Sequence, residues 1–276
     1  MIIKANGKIN LSLDITGKRA DGYHLLDMIM LPIDLYDLVE VELSDQDHFE
    51  SNCDLGWDSK NIIYRAVEMM RTAFSLSQHF SIKLEKHIPL QAGLGGGSSD
   101  CAAVLKAINE LCELNLSFEQ LCAIGVKLGA DVPFGLYQAP ARVKGIGEEI
   151  IPLTGLKEKE VLLVKPRRGV NTAEAFRLSD EREIIHPDID EVERRLLNDE
   201  PLDNVLGNSL EESASLLVEE ISELKEFCLR EGYRQCAMSG SGSTVFVLED
   251  GVNDLDELYA KLRKKADFVV KTKIIV

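Results

Sequence analysis

The chain has no C-x-x-C pair, no apolar run approaching the ~18 residues that cross a bilayer, and far fewer basic than acidic side chains. Each absence excludes a class of protein. Forty-seven acidic against 31 basic residues give a formal charge of −16, a field that repels nucleic acid and anionic membrane at long range. Any anionic ligand is therefore to be held by local donors, and neither a nucleic-acid nor a membrane partner is expected. The six cysteines (53, 101, 112, 122, 228 and 236) read as reduced structural thiols, with Cys101, Cys112 and Cys122 on helical segments. With no signal-peptide pattern at the N-terminus, a cytoplasmic location is expected. His48, His79, His87 and His186 have no metal-ligand spacing, so no metal centre built by protein ligands is expected.

What the chain does have is glycine in one place. Gly93-Leu94-Gly95-Gly96-Gly97-Ser98-Ser99-Asp100 removes the Cβ atoms that keep a polyanion away from backbone N–H groups. The segment that follows, Cys101 to Asn109, carries an apolar stripe of good helix formers, so the loop opens a helix whose unpaired N–H groups face the same anion. Upstream, Phe80 to Glu85 alternates as a half-buried strand, which Pro89 ends. A flexible linker does not fit between a patterned strand and a patterned helix. Walker A fails because no lysine follows the glycines. The dinucleotide fingerprint fails because Ser98 stands where its third glycine belongs. A third kind of phosphate loop is implied.

At 276 residues the chain suits one large or two medium domains. Strands are expected at Lys8 to Ile15, Met28 to Leu35 and Leu38 to Leu43, with a polar loop from Gly17 to His24. Helical spacing covers Asn61 to Met70, and Ser117-Phe118-Glu119-Gln120 is a capping box. Ala139 to Val143 and Glu148 to Ile151 read as strands. The texture changes near Lys157. Beyond it come a strand at Val161 to Val164, acidic helices through His186 to Asn198 and Ser209 to Arg230, strands at Thr244 to Leu248 and Phe268 to Val276, and a helix from Leu255 to Ala266. Segregated helices and strands indicate an α+β fold, divided at 1–156 and 157–276.

Three further stretches make chemical sense beside a phosphate. In Gly129-Ala130-Asp131-Val132-Pro133, Pro133 pushes Val132 out of the helical region, so Asp131 falls at a helix end where it can be aimed. Met238 to Ser243 is a second small-residue turn, able to approach a ligand or another backbone closely. Lys8, Asn10 and Ser12 share one face of a strand whose Ile9, Leu11 and Leu13 face inward. Taken alone, that face reads as an ordinary solvated one.

Together these stretches, with Gly7-Lys8-Ile9-Asn10-Leu11, Lys18-Arg19-Ala20-Asp21-Gly22-Tyr23-His24, Ile33-Asp34-Leu35-Tyr36-Asp37, Gly145-Ile146-Gly147-Glu148 and Gly207-Asn208-Ser209-Leu210-Glu211, resemble the GHMP kinase superfamily over most of the chain. The R-A-D-G-Y-H run points within it to the branch that acts on 4-diphosphocytidyl-2-C-methyl-D-erythritol. The resemblance implies an N-terminal domain like domain 2 of ribosomal protein S5, a C-terminal ferredoxin-like domain, and an active site in the cleft between them. It implies ATP and Mg2+ as cofactors, transfer to the substrate's 2-hydroxyl, and a monomer or homodimer. Carried over, Pro89, Leu90, Gln91, Ala92, Gly93, Leu94, Gly95, Gly96, Gly97, Ser98 and Ser99 hold the ATP phosphates, with Ser98 or Ser99 on the metal. Asn61 and Lys86 lie near the nucleoside. Lys8 and Asp131 are the catalytic pair, Asn10 touches the erythritol end, Tyr23 and Phe176 sandwich the cytosine, and His24 and Thr172 help fix it. The basic run Lys165-Pro166-Arg167-Arg168 either helps draw in a diphosphate or is a solvated edge.

Five positions depart from the family pattern: Asn6-Gly7 stand before Lys8 in place of Pro-Ala, Cys101 replaces alanine, Gly135 phenylalanine, and Ser209 aspartate. Two other functions stay open on sequence. One is a GHMP kinase for homoserine or a mevalonate derivative, which does not need the Ala20 to His24 loop. The other is a non-catalytic nucleotide sensor, which does not need both Lys8 and Asp131.

Overall fold

The computed structural model describes every residue from Met1 to Val276. In chain order the elements are β1 (Ile2–Lys18), β2 (His24–Ser44), β3 (His48–Ser51), α1 (Ile62–Phe74), β4 (His79–Glu85), α2 (Gly96–Leu111), α3 (Phe118–Leu128), α4 (Val132–Tyr137), β5 (Ala141–Gly145), β6 (Glu149–Pro152), β7 (Glu160–Lys165), α5 (Thr172–Ser179), α6 (Ile189–Leu197), α7 (Glu211–Leu217), α8 (Glu220–Arg230), β8 (Cys236–Met238), β9 (Val245–Leu248), α9 (Leu255–Leu262) and β10 (Phe268–Lys273). The fold is α+β, as expected. The chain forms two compact units interleaved in sequence: residues 1–7, 35–88 and 95–138 in the first, and 8–34, 89–94 and 139–276 in the second.

In the first unit the C-terminal half of β2 pairs antiparallel with β4, Leu38 opposite Glu85 through Ser44 opposite His79. The alternation of β4 turns Phe80, Ile82 and Leu84 into the core. There they meet Ile63, Ala66, Val67 and Met70 of α1 and the buried face of α2. Cys101, Ala102 and Ala103 are small, and α4 packs against α2. The approach is tight at Gly135, where a Cβ would stand 3.1 Å from the Ala102 Cβ and 3.2 Å from the Ser98 carbonyl oxygen. Helix α3 begins with the expected capping box, Ser117 accepting from Gln120 N–H while the Gln120 side chain accepts from Ser117 N–H.

The second unit contains a four-stranded antiparallel sheet in the order β10-β7-β9-β8. Strand β7, helices, β8, β9, α9 and β10 follow one another along the chain, which is the β-α-β-β-α-β sequence of a ferredoxin-like unit. Val161 to Lys165 are all buried, as a central strand covered on both faces requires. The N-terminal half of β2 pairs with β5, and β5 with β6.

Three expectations change. The strands expected at Met28 to Leu35 and Leu38 to Leu43 are one strand, β2, through Pro32. Pro32 lies between the ladder to β5, which ends at Met30, and the ladder to β4, which begins at Leu38, so neither of these two ladders needs its missing N–H. The helix expected from Ser209 to Arg230 is two, α7 and α8, broken at Val218. The face of β1 bearing Lys8, Asn10 and Ser12 is not solvated: the three are 4%, 1% and 1% exposed.

Candidate active site

That face of β1 is covered by the second small-residue turn. The Asn10 N–H donates to Ser239 Oγ at 3.1 Å, and Ser239 Oγ donates to the Gly93 carbonyl at 3.0 Å. The Lys8 ammonium donates to the same Gly93 carbonyl at 3.1 Å and to Asn10 Oδ1 at 2.5 Å. Lys8 N–H also donates to Leu94 O at 2.9 Å. A buried lysine is thus fixed against the start of the glycine loop. Asn10 holds its own amide by donating to the Met28 sulfur at 3.1 Å.

Gly93 adopts φ +74°, and a Cβ on it would lie 2.0 Å from the Ser239 carbonyl oxygen. This glycine is bare because another backbone needs the space, whereas Gly97 has only the Ile62 methyl within 4.0 Å of where its Cβ would be. Asn208 holds the Met238 to Ser243 turn, its amide donating to Met238 O and Gly240 O, both at 2.8 Å. Thr244 N–H donates to Ala92 O at 3.2 Å and Val170 N–H to Gln91 O at 3.4 Å. Pro89 begins this stretch, and Leu90 is 51% exposed.

Helix α2 begins inside the glycine run, with Gly95 at φ +69° as its N-cap and no side chain capping it. The N–H groups of its first turn are therefore the donors available to an anion. Ser99 Oγ donates to Asn6 O at 2.7 Å, which leaves the Ser98 hydroxyl as the one uncommitted at this end. Would-be Cβ atoms of Gly129 and Gly135 come to 3.7 Å from Ser98 Oγ and 3.2 Å from Ser98 O. Asp131, between these two glycines in the sequence, is the N-cap of α4, where its side chain makes no capping bond to the helix.

Beneath the loop, Lys86 Nζ donates to Asp100 at 2.7 Å and also to Asp37, in side chains 6%, 3% and 0% exposed. Asp37 Oδ1 further accepts from the N–H groups of His87 at 2.6 Å and Ile88 at 2.8 Å. Its position makes Lys86 a support of α2, since a Cβ on Gly96 would sit 3.2 Å from Lys86 Nζ. Asn61 caps α1, accepting from Ile63 N–H at 2.8 Å and donating to Gly56 O at 2.8 Å.

At the other expected subsite, the His24 ring stacks on Phe176 with centroids 4.7 Å apart and planes 24° apart. His24 Nε2 lies 2.7 Å from Asp180 Oδ1. Thr172 and Ser241 share a hydrogen bond at 2.7 Å, and Tyr23 is 59% exposed. Lys165 is buried and donates to Pro166 O at 3.0 Å, while Arg168 pairs with Glu220 at 2.7 Å. The basic run is therefore largely engaged with the protein itself.

Residues 61–139 match the family described as GHMP kinases N terminal domain and residues 173–267 the one described as GHMP kinases C terminal. A Clostridium beijerinckii 4-diphosphocytidyl-2-C-methyl-D-erythritol kinase is 41% identical over 100% of both chains. A Clostridium tetani protein of the same name is 39% identical over 100% of both. The chain belongs to this GHMP kinase family. A crystal structure of 4-(cytidine 5'-diphospho)-2C-methyl-D-erythritol kinase, 32% identical, superposes on it with TM-score 0.82 over 99% of each chain.

This GHMP kinase is a small-molecule kinase that uses ATP. No helix in it is long and apolar enough to cross a membrane, and all six cysteines are free. Beside the expected site residues stand others that sequence reading passed over: Asp37 and Asp100 in the first unit, and Asp180, Asn208 and Ser239 in the second. Asp37, Asn208 and Ser239 lay inside motifs that carried the resemblance, so the signal was present without a role attached. Asp180 had none, being an acidic residue in an acidic stretch. Ser209, where the family usually has aspartate, accepts from Ile15 N–H at 3.2 Å and has two acceptors within reach of its one hydroxyl proton, Asp14 at 2.9 Å and Ile185 O at 2.8 Å.

Proposed function

We propose that the chain phosphorylates the 2-hydroxyl of 4-diphosphocytidyl-2-C-methyl-D-erythritol with ATP, giving the 2-phosphate and ADP, in the non-mevalonate route to isoprenoids. The observation that carries this is identity of 41% along the whole chain to a kinase named for that substrate. The geometry supports it. Phosphoryl transfer asks the protein for position and charge rather than covalent chemistry. The glycine loop and the first turn of α2 offer backbone donors to the triphosphate. Asp131 takes or orients the proton of a hindered tertiary alcohol, and the Lys8 ammonium stabilises the negative charge developing at transfer. Asn10, already bonded to Lys8, aligns the erythritol end.

Magnesium fits the oxygen chemistry at the start of α2, because it needs few protein ligands and keeps several waters. The Ser98 hydroxyl is the group that would hold it, and bound there it would neutralise β- and γ-phosphate charge. His24, Phe176 and Thr172, with the exposed Tyr23 next to His24 in the sequence, form the reading surface for cytosine.

The test is ADP release from ATP and Mg2+ with the cytidyl-erythritol substrate, homoserine and mevalonate in parallel. Turnover confined to the first is expected. Turnover confined to either of the others would overturn the substrate assignment.

A further inference from the structure

Asp180 is the C-cap of α5, a place where the helix dipole disfavours negative charge. Its two oxygens are both used. Oδ2 accepts from the Lys18 ammonium at 2.5 Å and Oδ1 meets His24 Nε2 at 2.7 Å. Lys18 is the last residue of β1 and His24 the first of β2, so one carboxylate ties both ends of the hairpin loop that carries Tyr23. Within that loop Arg19 N–H donates to Tyr23 O at 2.8 Å and Gly22 N–H to Arg19 O at 3.0 Å. Those bonds shape the loop but do not anchor it to α5. The anchor is Asp180 together with Phe176, one helical turn earlier, which takes the face of the same imidazole at 4.7 Å.

A ring held by its face and by one nitrogen has its orientation fixed, and in the neutral form its tautomer too. With the Nε2 proton given to Asp180, Nδ1 remains an acceptor. We propose that Asp180 is a positioning residue for cytosine recognition, acting through His24 and Lys18 to hold the Tyr23 loop in its substrate-reading conformation. This rests on the substrate assignment above and adds to it the residue on which the nucleobase subsite depends. Asp180 touches neither ATP nor the reacting atoms, so its loss acts on one substrate only.

The experiment is steady-state kinetics of Asp180→Ala, Asp180→Asn and Asp180→Glu with ATP, Mg2+ and the cytidyl-erythritol substrate. For Asp180→Ala, loss of one charge-assisted anchor raises the substrate KM about tenfold, while kcat and the KM for ATP stay within about twofold. Asp180→Asn falls between alanine and wild type, because an amide cannot hold both the ammonium and the ring proton. Asp180→Glu recovers most of the affinity, since this edge is open enough for a longer carboxylate. An unchanged substrate KM in Asp180→Ala overturns the proposal, and so does a parallel loss in kcat and both KM values, which marks a merely structural role. Wild-type protein that turns over homoserine or mevalonate and not the cytidyl substrate overturns the substrate assignment and this proposal with it, an outcome distinct from the other two.

Discussion

Lys86 donates to Asp100 at 2.7 Å while its nitrogen is shared with Asp37, so one ammonium serves two buried carboxylates under the glycine loop. Asp100 Oδ1 has no hydrogen-bond partner. Burial pushes the Asp100 carboxyl up; Lys86 pulls it down and the Asp37 charge adds to the rise, leaving it at about 7 against an ordinary 3.8. Lys86 is itself raised, its burial outweighed by Asp100 and Asp37.

A carboxyl raised in the folded state holds a proton there that the unfolded chain has released. Its contribution to stability is therefore present at low pH and falls away as pH rises from about 4 to about 7. Asp100→Asn removes that slope. Thermal melts at about pH 5 and about pH 8 are expected to show the variant gaining on wild type at the higher pH. Equal destabilisation at both pH values would contradict the assignment of the proton to Asp100.

Gly93→Ala is expected to destabilise the fold by ~2 kcal/mol or more, from left-handed backbone strain and a clash with a neighbouring carbonyl. The Cβ would meet Ser239 O at 2.0 Å, and Lys8 would lose the Gly93 carbonyl that holds it. Gly97→Ala has space around it and serves as the control. Chemical denaturation separates the two, and similar midpoints would argue that the Ser239 turn yields.

Asp131→Asn is expected to lower kcat by roughly 10²- to 10⁴-fold with the substrate KM largely kept, as loss of a proton acceptor does. Near-normal turnover removes Asp131 from the mechanism. Single-turnover measurements distinguish this from slow product release.

Tyr23→Ala is expected to cost about 1–3 kcal/mol of substrate binding if the exposed ring stacks on cytosine. The KM for ATP is the internal reference. An unchanged substrate KM leaves Tyr23 outside the subsite.

Much of this was legible in the chain because it is local. The capping box at Ser117, the strand from Phe80 to Glu85 and the helix after the glycines are each written within a few residues. Asp37, Lys86 and Asp100 are not: the first two are 49 residues apart, and nothing near either announces the other. Taken alone, the strand segment around Lys8 leaves its polar face looking solvated, because periodicity gives the two faces of a strand without saying what covers them. The Ser239 turn that covers this face is 229 residues away along the chain from Asn10. Gly93 and Gly97 look alike in sequence, yet one accommodates backbone and the other leaves room at the loop.

The most direct measurement is the ³¹P NMR spectrum of the product formed from ATP, Mg2+ and the cytidyl-erythritol substrate. The acceptor carbon is tertiary and bears no hydrogen, so the expected new phosphomonoester signal is unsplit by any three-bond proton coupling. A signal split by neighbouring protons would mean transfer to a different hydroxyl, and no new signal beside active turnover of another alcohol would mean a different substrate.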